Sequence, residues 1–137
     1  MNNSQLILSI CTRCRDGREQ DYQEVRGGER MAKAILARQF AWKDFSFEFR
    51  GVACMSQCKR PCIAAFCGHG RFSYLFGDLD PEMSSNVDAL LEFPSIYLTA
   101  PEGFVERRNR PMPLQKGILA RLPPPDSTSK NVFSFSS

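Results

Sequence analysis

The amino-acid sequence predicts an α/β fold with the element order βαβ-ββα, in which helices lie on the faces of a four-stranded mixed sheet. Three observations support this class. Apolar runs of strand length occur at four places in the chain, and two segments carry the amphipathic pattern of a helix. At 137 residues, the chain is also long enough to bury the core of one domain.

The first three elements are predicted to form a βαβ unit. Residues 6–10 are a short apolar run with the length of a buried strand. Residues 29–40 are predicted to be helical, because apolar residues recur at i,i+4 spacing from Met31 to Phe40. Residues 45–49 alternate strictly between phenylalanine and polar side chains, which is typical of a strand. We expect the two strands to be parallel neighbours with the helix as their crossover.

The next three elements are predicted to be a β-hairpin and a helix. Residues 62–67 and 71–76 have strand patterns and flank the turn sequence Gly68-His69-Gly70. A helix is expected to begin with Asp80 as its N-cap and Pro81 at its first position. A βαβ unit followed by a hairpin and a helix is the thioredoxin-like topology, within the broader class of three-layer α/β folds.

The last third of the chain is predicted to be an addition to this domain. The second helix is expected to end near residues 93–94, and residues 96–98 are expected to be a short strand or an extended segment. Residues 1–98 then form a thioredoxin-like domain that binds a metal or cluster. Residues 99–125 form a Pro/Arg-rich C-terminal extension that docks on it, and the Ser-rich residues 126–137 form a disordered tail.

The composition indicates a cytoplasmic protein without membrane association. No stretch approaches the ~20 apolar residues of a membrane span, and the N-terminus lacks the pattern of a signal peptide. Because thiols stay reduced in the cytosol, the six cysteines indicate metal binding or redox catalysis rather than disulfides. The net charge of +3 is too small to predict nucleic-acid binding.

Four of the cysteines form two closely spaced pairs. Cys11 and Cys14 are a C-x2-C pair after the first strand, and Cys54 and Cys58 are a C-x3-C pair after the second. If these strands are parallel neighbours, their carboxyl ends lie side by side, so we expect the two pairs to share one site. Four thiolates complete a tetrahedral zinc site or hold a [2Fe–2S] cluster.

Different roles are expected for the remaining two cysteines and for the single histidine. Cys62 follows Cys58 by four residues, after Pro61, and competes with Cys14 for the fourth ligand position. Cys67 is expected to be structural or at the surface, because a strand rises about 3.3 Å per residue and carries it away from the site. His69 is expected to be an exposed turn residue. A Rieske-type site needs two histidines, so the chain excludes it.

Four separated motifs occur in order, namely Cys11-Thr-Arg-Cys14, Gly51-Val-Ala-Cys-Met-Ser-Gln-Cys-Lys-Arg-Pro-Cys62, Phe72-Ser-Tyr-Leu-Phe-Gly-Asp-Leu-Asp80 and Gly117-Ile-Leu-Ala-Arg-Leu-Pro123. Together they resemble an uncharacterised bacterial family of predicted metal-binding proteins. The resemblance covers most of residues 5–123 and implies metal binding without a defined activity. More remotely, the sequence is similar to the thioredoxin-like [2Fe–2S] ferredoxins, which carry a cysteine pair after the first strand and a C-x3-C pair, then a proline, after the second. Cys11, Cys54, Cys58 and Pro61 match that pattern, but the first pair of those ferredoxins is more widely spaced.

Three functional hypotheses follow. The first is an iron–sulfur protein, not an enzyme, that uses a [2Fe–2S] cluster for electron transfer or redox sensing. The second is a protein that binds zinc or another metal in a structural or metal-handling role. The third is a thiol–disulfide oxidoreductase that uses Cys11 and Cys14. It ranks last, because the polar residues 15–26 separate this pair from the helix N-terminus that such a nucleophile needs.

The expected partner of an iron–sulfur protein is another redox protein. Arg60 and the basic residues near the C-terminus are suited to an acidic surface on that partner. We expect no nucleic acid and no membrane as partners, and the sequence leaves a homodimer open.

Overall fold

The computed structural model describes residues 6–38 and 47–135 of the chain. Within these ranges, five strands form one mixed sheet; they are β1 (Ile7–Cys11), β2 (Glu48–Val52), β3 (Ala64–Cys67), β4 (Ser73–Phe76) and β5 (Ile118–Leu122). Their order across the sheet is β2-β1-β3-β4-β5. Strands β1 and β2 are parallel, and the other neighbouring pairs are antiparallel. The predicted α/β class and mixed sheet are confirmed.

Helices α1 (Gly27–Leu36), α2 (Ser84–Thr99) and α3 (Pro113–Lys116) accompany the sheet. Helix α1 connects the parallel strands β1 and β2, as predicted for a βαβ unit. It packs against β1, and its Met31 and Ile35 side chains are fully buried four residues apart on one face. Helix α2 contacts both α1 and α3.

The core is rich in aromatic side chains where β3 and β4 meet α2. Each of these side chains is fully buried, and the ring centroids of Phe66 and Phe93 lie 4.9 Å apart. Burial of one such side chain contributes about 1.5–3 kcal/mol relative to exposure. The cluster therefore holds the β3–β4 hairpin and α2 together; it comprises Phe66, Tyr74, Phe76, Phe93 and Tyr97.

The sheet has five strands, whereas the sequence predicted four. The additional strand is β5, which lies within residues 99–125 and pairs antiparallel with β4, with Arg121 opposite Tyr74. Its short apolar pattern lies in a proline-rich stretch and does not alternate, so the pattern did not identify it. Edge strands owe much of their formation to pairing with a neighbour, which single-sequence patterns do not report.

Helix α2 begins later than predicted. The carboxylate of Asp80 accepts the N–H of Glu82 at 2.9 Å, in a turn that precedes the helix. The N–H of Asp80 donates to the side-chain oxygen of Asn86 at 2.9 Å. The first helical residue is Ser84, and Met83 occupies the N-cap position. The Asp-Pro-Glu sequence therefore leads the chain into α2 but does not cap it.

Helix α2 also ends later than predicted. It continues through Pro94 to Thr99, so the predicted end near residues 93–94 is wrong. Residues 96–98 are helical and not extended. The fully buried Phe93 and Tyr97 are four residues apart on α2, and their packing in the aromatic cluster stabilises the helix on both sides of the proline.

Two other predicted elements are shifted and partly outside the described residues. The helix predicted for residues 29–40 begins two residues earlier, at Gly27, and α1 ends at Leu36. The strand predicted for residues 45–49 is β2 at Glu48–Val52. Both predictions include positions within residues 39–46, which lie outside the described residues.

The C-terminal part of the chain packs against the segment after α2. The carboxylate of Glu102 accepts hydrogen bonds from the Ser127 hydroxyl at 2.6 Å and from the Thr128 N–H at 2.9 Å. The division into three regions and the disorder of residues 126–137 stay predictions. Among the described residues, no helix has both the length and the apolar character that crossing a membrane requires.

Candidate metal centre

The parallel pairing of β1 and β2 places the two cysteine-bearing loops beside each other. In the register of these strands, Cys11 lies opposite Val52. Beyond the last pair, the Thr12 N–H and the Thr12 hydroxyl both donate to the Val52 carbonyl, at 2.9 and 3.3 Å. The loop that carries Cys54 and Cys58 therefore starts next to the loop that carries Cys14.

Cys11 is buried at the end of β1 and its sulfur accepts several hydrogen bonds. Burial alone raises the pKa of the Cys11 thiol, but hydrogen bonds from the Cys14 side chain and from the backbone amides of Met55, Arg13 and Cys14 outweigh it. The pKa of Cys11 is therefore lowered. Since hydrogen bonds from amide N–H groups stabilise the thiolate, Cys11 is prepared to act as a ligand or nucleophile.

Cys14 is 1% exposed and has the opposite tendency. Burial raises its pKa to about 12, and the hydrogen bond shared with Cys11 acts in the same direction. The charge of Cys58 also raises it, which shows that Cys58 lies within electrostatic reach of Cys14. Of the two thiols, Cys11 therefore loses its proton more readily than Cys14.

Cys54 and Cys58 are exposed at the outer side of the site. The Ser56 N–H donates to the Cys54 sulfur at 3.4 Å, and Ser56 adopts a left-handed conformation with φ of 60°. This turn sends the chain back across the site, where the Met55 amide bonds to Cys11. The C-x3-C loop thus covers Cys11 while its own two thiols face solvent.

Cys62 is fully buried and lies close to Cys14. A Cβ atom added at Gly27, at the start of α1, would lie 3.1 Å from the Cys62 sulfur. Burial is the largest cause that raises the pKa of Cys62, to about 12, and the charges of Cys14 and Asp16 act in the same direction. The choice between Cys14 and Cys62 as fourth ligand stays open, since both lie on the inner side of the site.

Helix α1 begins directly beneath the first cysteine pair. The Gly28 N–H donates to the Cys14 carbonyl at 3.0 Å, and a Cβ at Gly28 would lie 1.9 Å from the Cys11 carbonyl oxygen. Only glycine permits this approach. The expectation that residues 15–26 keep the helix away from the cysteines is wrong, because that segment folds back on itself.

A buried network of charges folds this segment back. The Asp16 carboxylate pairs with Arg18 at 2.8 Å and with Arg30 of α1. Arg30 also pairs with Glu82 at 2.9 Å. Burial would raise the pKa of Asp16, but hydrogen bonds from Arg18 and Arg30 lower it to about 2. The network ties the residues after Cys14 to α1 and to the turn before α2.

The Glu19 side chain also holds this segment in its folded-back conformation. Its side-chain carboxylate accepts the N–H groups of Asp16, Gly17 and Gly27 at 2.9, 3.1 and 3.2 Å. The roles of Asp16, Glu19 and Arg30 were not predicted, because residues 15–26 have the composition of an exposed loop and the ion-pair partners of Arg30 are not close to it in sequence. The Gly27–Gly28 pair was the available signal, since adjacent glycines often mark a close backbone approach.

Cys67 and His69, which were not expected to be ligands, lie away from the cysteine site. Cys67 pairs with Ile7, at the end of the sheet opposite Cys11, and is half-buried. His69 is exposed in the turn between β3 and β4. All six cysteines are free thiols. Among the described residues, no three or more His, Cys, Asp or Glu side chains are grouped closely enough to hold a single metal ion.

Comparison with known structures identifies the fold. A thioredoxin-like [2Fe–2S] ferredoxin from Aquifex aeolicus is similar to this chain with a TM-score of 0.55 and 17% sequence identity. The similarity covers 90% of this chain and 97% of the ferredoxin chain. The chain therefore has a thioredoxin-like fold, as the element order predicted.

Comparison with family models identifies the family. Residues 8–124 match the family described as "Protein of unknown function (DUF1636)", and the chain belongs to it. The resemblances to an uncharacterised family and, more remotely, to the thioredoxin-like [2Fe–2S] ferredoxins are both confirmed. No curated protein matches the chain.

Proposed function

We propose that the chain is an iron–sulfur protein that binds a [2Fe–2S] cluster through Cys11, Cys14, Cys54 and Cys58. It acts as a carrier of single electrons in the cytoplasm and not as an enzyme. One observation carries the proposal. The parallel register of β1 and β2, with Cys11 opposite Val52, sets the loop that bears the outer cysteine pair, Cys54 and Cys58, beside the loop that bears the inner pair, Cys11 and Cys14.

The donor set fits this cluster. A [2Fe–2S] cluster takes four thiolates, two on each iron, and the chain offers its thiols as two pairs on adjacent loops. Hydrogen bonds to the sulfurs are one of the means by which a protein sets the potential of a cluster. The Ser56 N–H donates such a bond to the Cys54 sulfur at 3.4 Å, and backbone hydrogen bonding lowers the pKa of Cys11.

The difference in exposure between the two cysteine pairs suits electron transfer. Cys11 and Cys14 are 3% and 1% exposed, whereas Cys54 and Cys58 are exposed. The inner pair thus keeps water from one side of the site, and the outer pair is open to a partner. When bound, the cluster supplies a one-electron couple, and the chain supplies its ligands, its hydrogen bonds and its access.

Two further facts support the proposal. The ferredoxin with the same fold is described as a [2Fe–2S] protein. Free thiols suit a reducing compartment, in which cysteines stay available as ligands.

Single Cys→Ser variants test the ligand set. After anaerobic purification, Cys54→Ser and Cys58→Ser should lose iron, acid-labile sulfide and visible absorption. Cys67→Ser, at the far end of β3, is the matched control and should keep all three at wild-type levels. Retention of iron and sulfide by both outer-loop variants would overturn the proposal. Zinc in place of iron in the wild-type protein would favour the metal-handling alternative.

The fourth ligand is decided by a second pair of variants. Cys14→Ser and Cys62→Ser change two buried thiols that both lie on the inner side of the site. We expect Cys14→Ser to lose the cluster and Cys62→Ser to keep it. The reverse result would assign Cys62 as the ligand and leave Cys14 as a structural thiol.

A second candidate function has a specific observation in its favour. The N-terminus of α1 lies next to the C-x2-C pair, where Gly28 bonds to the Cys14 carbonyl, and the pKa of Cys11 is lowered. These features suit a thiol–disulfide oxidoreductase, in which the Cys11 thiolate attacks a substrate disulfide and Cys14 resolves the mixed disulfide. Insulin reduction that disappears in Cys11→Ser would support this candidate, and no reduction by the wild-type protein would remove it.

A further inference from the structure

The two loops that carry the cysteines also carry an uncompensated positive charge. Arg13, Arg15 and Lys59 are exposed, and we call these three residues the basic rim. Residues 11–15 and 53–62 contain no aspartate or glutamate. Within the described ranges, none of the three forms an ion pair.

Two acidic residues next to the cysteine loops, Asp16 and Asp78, are engaged in ion pairs elsewhere. Asp16 follows Arg15 directly, but its side chain is 8% exposed and pairs with Arg18 and Arg30. Asp78 pairs with Arg60. The positive charge around the cysteine site is therefore not neutralised by these neighbours. The chain as a whole has a net charge of only +3, so this charge is local.

We propose that the basic rim is a docking surface for an acidic protein that exchanges electrons at the adjacent cysteine site. This inference rests on the proposed function, because it assumes a redox centre between the two loops. Charges at the edge of an interface act mainly on association rate and orientation, and they are effective without being buried. Cys54 and Cys58, the exposed thiols, lie on the same loop as Lys59, so a partner held by the rim faces them.

An acidic protein suits this surface better than a nucleic acid. Proteins that bind single-stranded nucleic acid combine positive charge with exposed aromatic side chains on which bases stack. Residues 11–15 and 50–62 contain no aromatic residue. Short-range positive charge beside a redox centre matches the recognition of an acidic partner protein.

Two matched variants each remove three positive charges, one from the basic rim and the other from the C-terminal part of the chain. In the rim variant, Arg13→Gln, Arg15→Gln and Lys59→Gln remove three exposed positive charges from the cysteine loops. The control variant removes two arginines and one lysine from the C-terminal part of the chain; its substitutions are Arg107→Gln, Arg108→Gln and Lys130→Gln, all at exposed positions.

The control positions lie far from the rim. Lys130 lines a cavity of about 670 Å³ together with Thr99 and Glu102, and Asn109, which follows Arg107 and Arg108, lines it too. The Glu102 carbonyl accepts the N–H of Phe72, just before β4 and at the end of the sheet opposite Cys11. Both variants therefore carry the same net charge, and the control variant also gives up an exposed ion pair between Arg108 and Glu106 at 3.5 Å, which contributes little.

A binding measurement tests the surface without a redox reaction. Immobilised poly-L-glutamate serves as the acidic probe, at low salt and again at high salt. We expect the rim variant to bind about tenfold more weakly than the wild type, and the control variant to bind like the wild type. Equal weakening in both variants would overturn the inference, since only net charge would then matter. Tighter binding of a single-stranded DNA 20-mer than of poly-L-glutamate would overturn it in favour of a nucleic-acid partner.

A kinetic measurement tests the same surface at the redox centre. The dithionite-reduced protein gives one electron to ferricyanide, which becomes ferrocyanide, or to hexaamminecobalt(III), which becomes cobalt(II). We expect the rim variant to react about tenfold more slowly with the anionic oxidant and faster with the cationic one. Unchanged rates with both oxidants would overturn the inference. A protein without a redox centre would fail this measurement but not the binding one, which separates failure of the proposed function from failure of the docking surface.

Discussion

The charge network behind the cysteine site predicts a pH-dependent stability. Asp16 is 8% exposed and pairs with Arg18 and Arg30, which lower its pKa to about 2 from the ordinary 3.8. A depression of this size makes the charged carboxylate contribute about 2 kcal/mol to the free energy of unfolding. Because the folded-state pKa lies below the unfolded one, the contribution is complete above the unfolded pKa. It is lost as the pH falls through the folded pKa.

The test replaces the charge and keeps the shape. Asp16→Asn should lower the free energy of unfolding of the metal-free protein by about 2 kcal/mol at pH 6. At pH 3 the wild-type carboxylate has lost about half of its contribution, so the difference between the two proteins should shrink to about 1 kcal/mol. Urea unfolding at both pH values, followed by circular dichroism, measures the two differences.

A surface pair provides the control for this measurement. Asp88 forms an ion pair with Arg38, but its side chain is 55% exposed. Exposed pairs contribute little, so Asp88→Asn should cost less than about 1 kcal/mol and show little dependence on pH. An Asp16→Asn effect of equal size at pH 6 and pH 3 would refute the reasoning, because the lost stability would then not derive from the carboxylate charge.

Three further substitutions test the packing around the site. Gly28→Ala places a Cβ 1.9 Å from the Cys11 carbonyl oxygen, so the protein should lose several kcal/mol of stability or fail to accumulate, and a wild-type melting temperature would contradict this contact. Tyr97→Phe removes a 2.5 Å hydrogen bond to the Phe72 carbonyl and should cost about 1–3 kcal/mol in urea unfolding, whereas no change would mean that water replaces the hydroxyl. Phe93→Ala empties a fully buried position and should cost about 3–5 kcal/mol; a loss below about 1 kcal/mol would show that the aromatic cluster collapses around the gap.

The spacing of the cysteines predicted which loops meet, because a simple rule connects spacing to place. Parallel strands end at the same edge of a sheet, and Cys11 and Val52 are opposite in the register of β1 and β2. The loop with the C-x2-C pair and the loop with the C-x3-C pair therefore begin side by side. The rise of about 3.3 Å per residue along a strand predicted that Cys67 lies at the end of the sheet away from the site, and it pairs there with Ile7.

The surroundings of the site were beyond prediction, because they depend on contacts between distant residues. Asp16 and Arg30 are separated by a segment with the composition of an exposed loop, yet they pair behind the first cysteine loop. Their pairing, and the approach of Gly28 to Cys11, follow from where the chain turns back, which no local pattern records. The strand at residues 118–122 was not predicted for the same reason, because it forms by pairing with β4.

The anaerobically purified protein, analysed for iron, acid-labile sulfide and zinc together with its absorption spectrum, tests the central claim most directly. The account predicts a coloured protein with about two iron and about two sulfide atoms per chain, bleached on reduction by dithionite. A colourless protein that carries one zinc per chain would contradict it. The cysteines of the two loops would then serve a structural or metal-handling role.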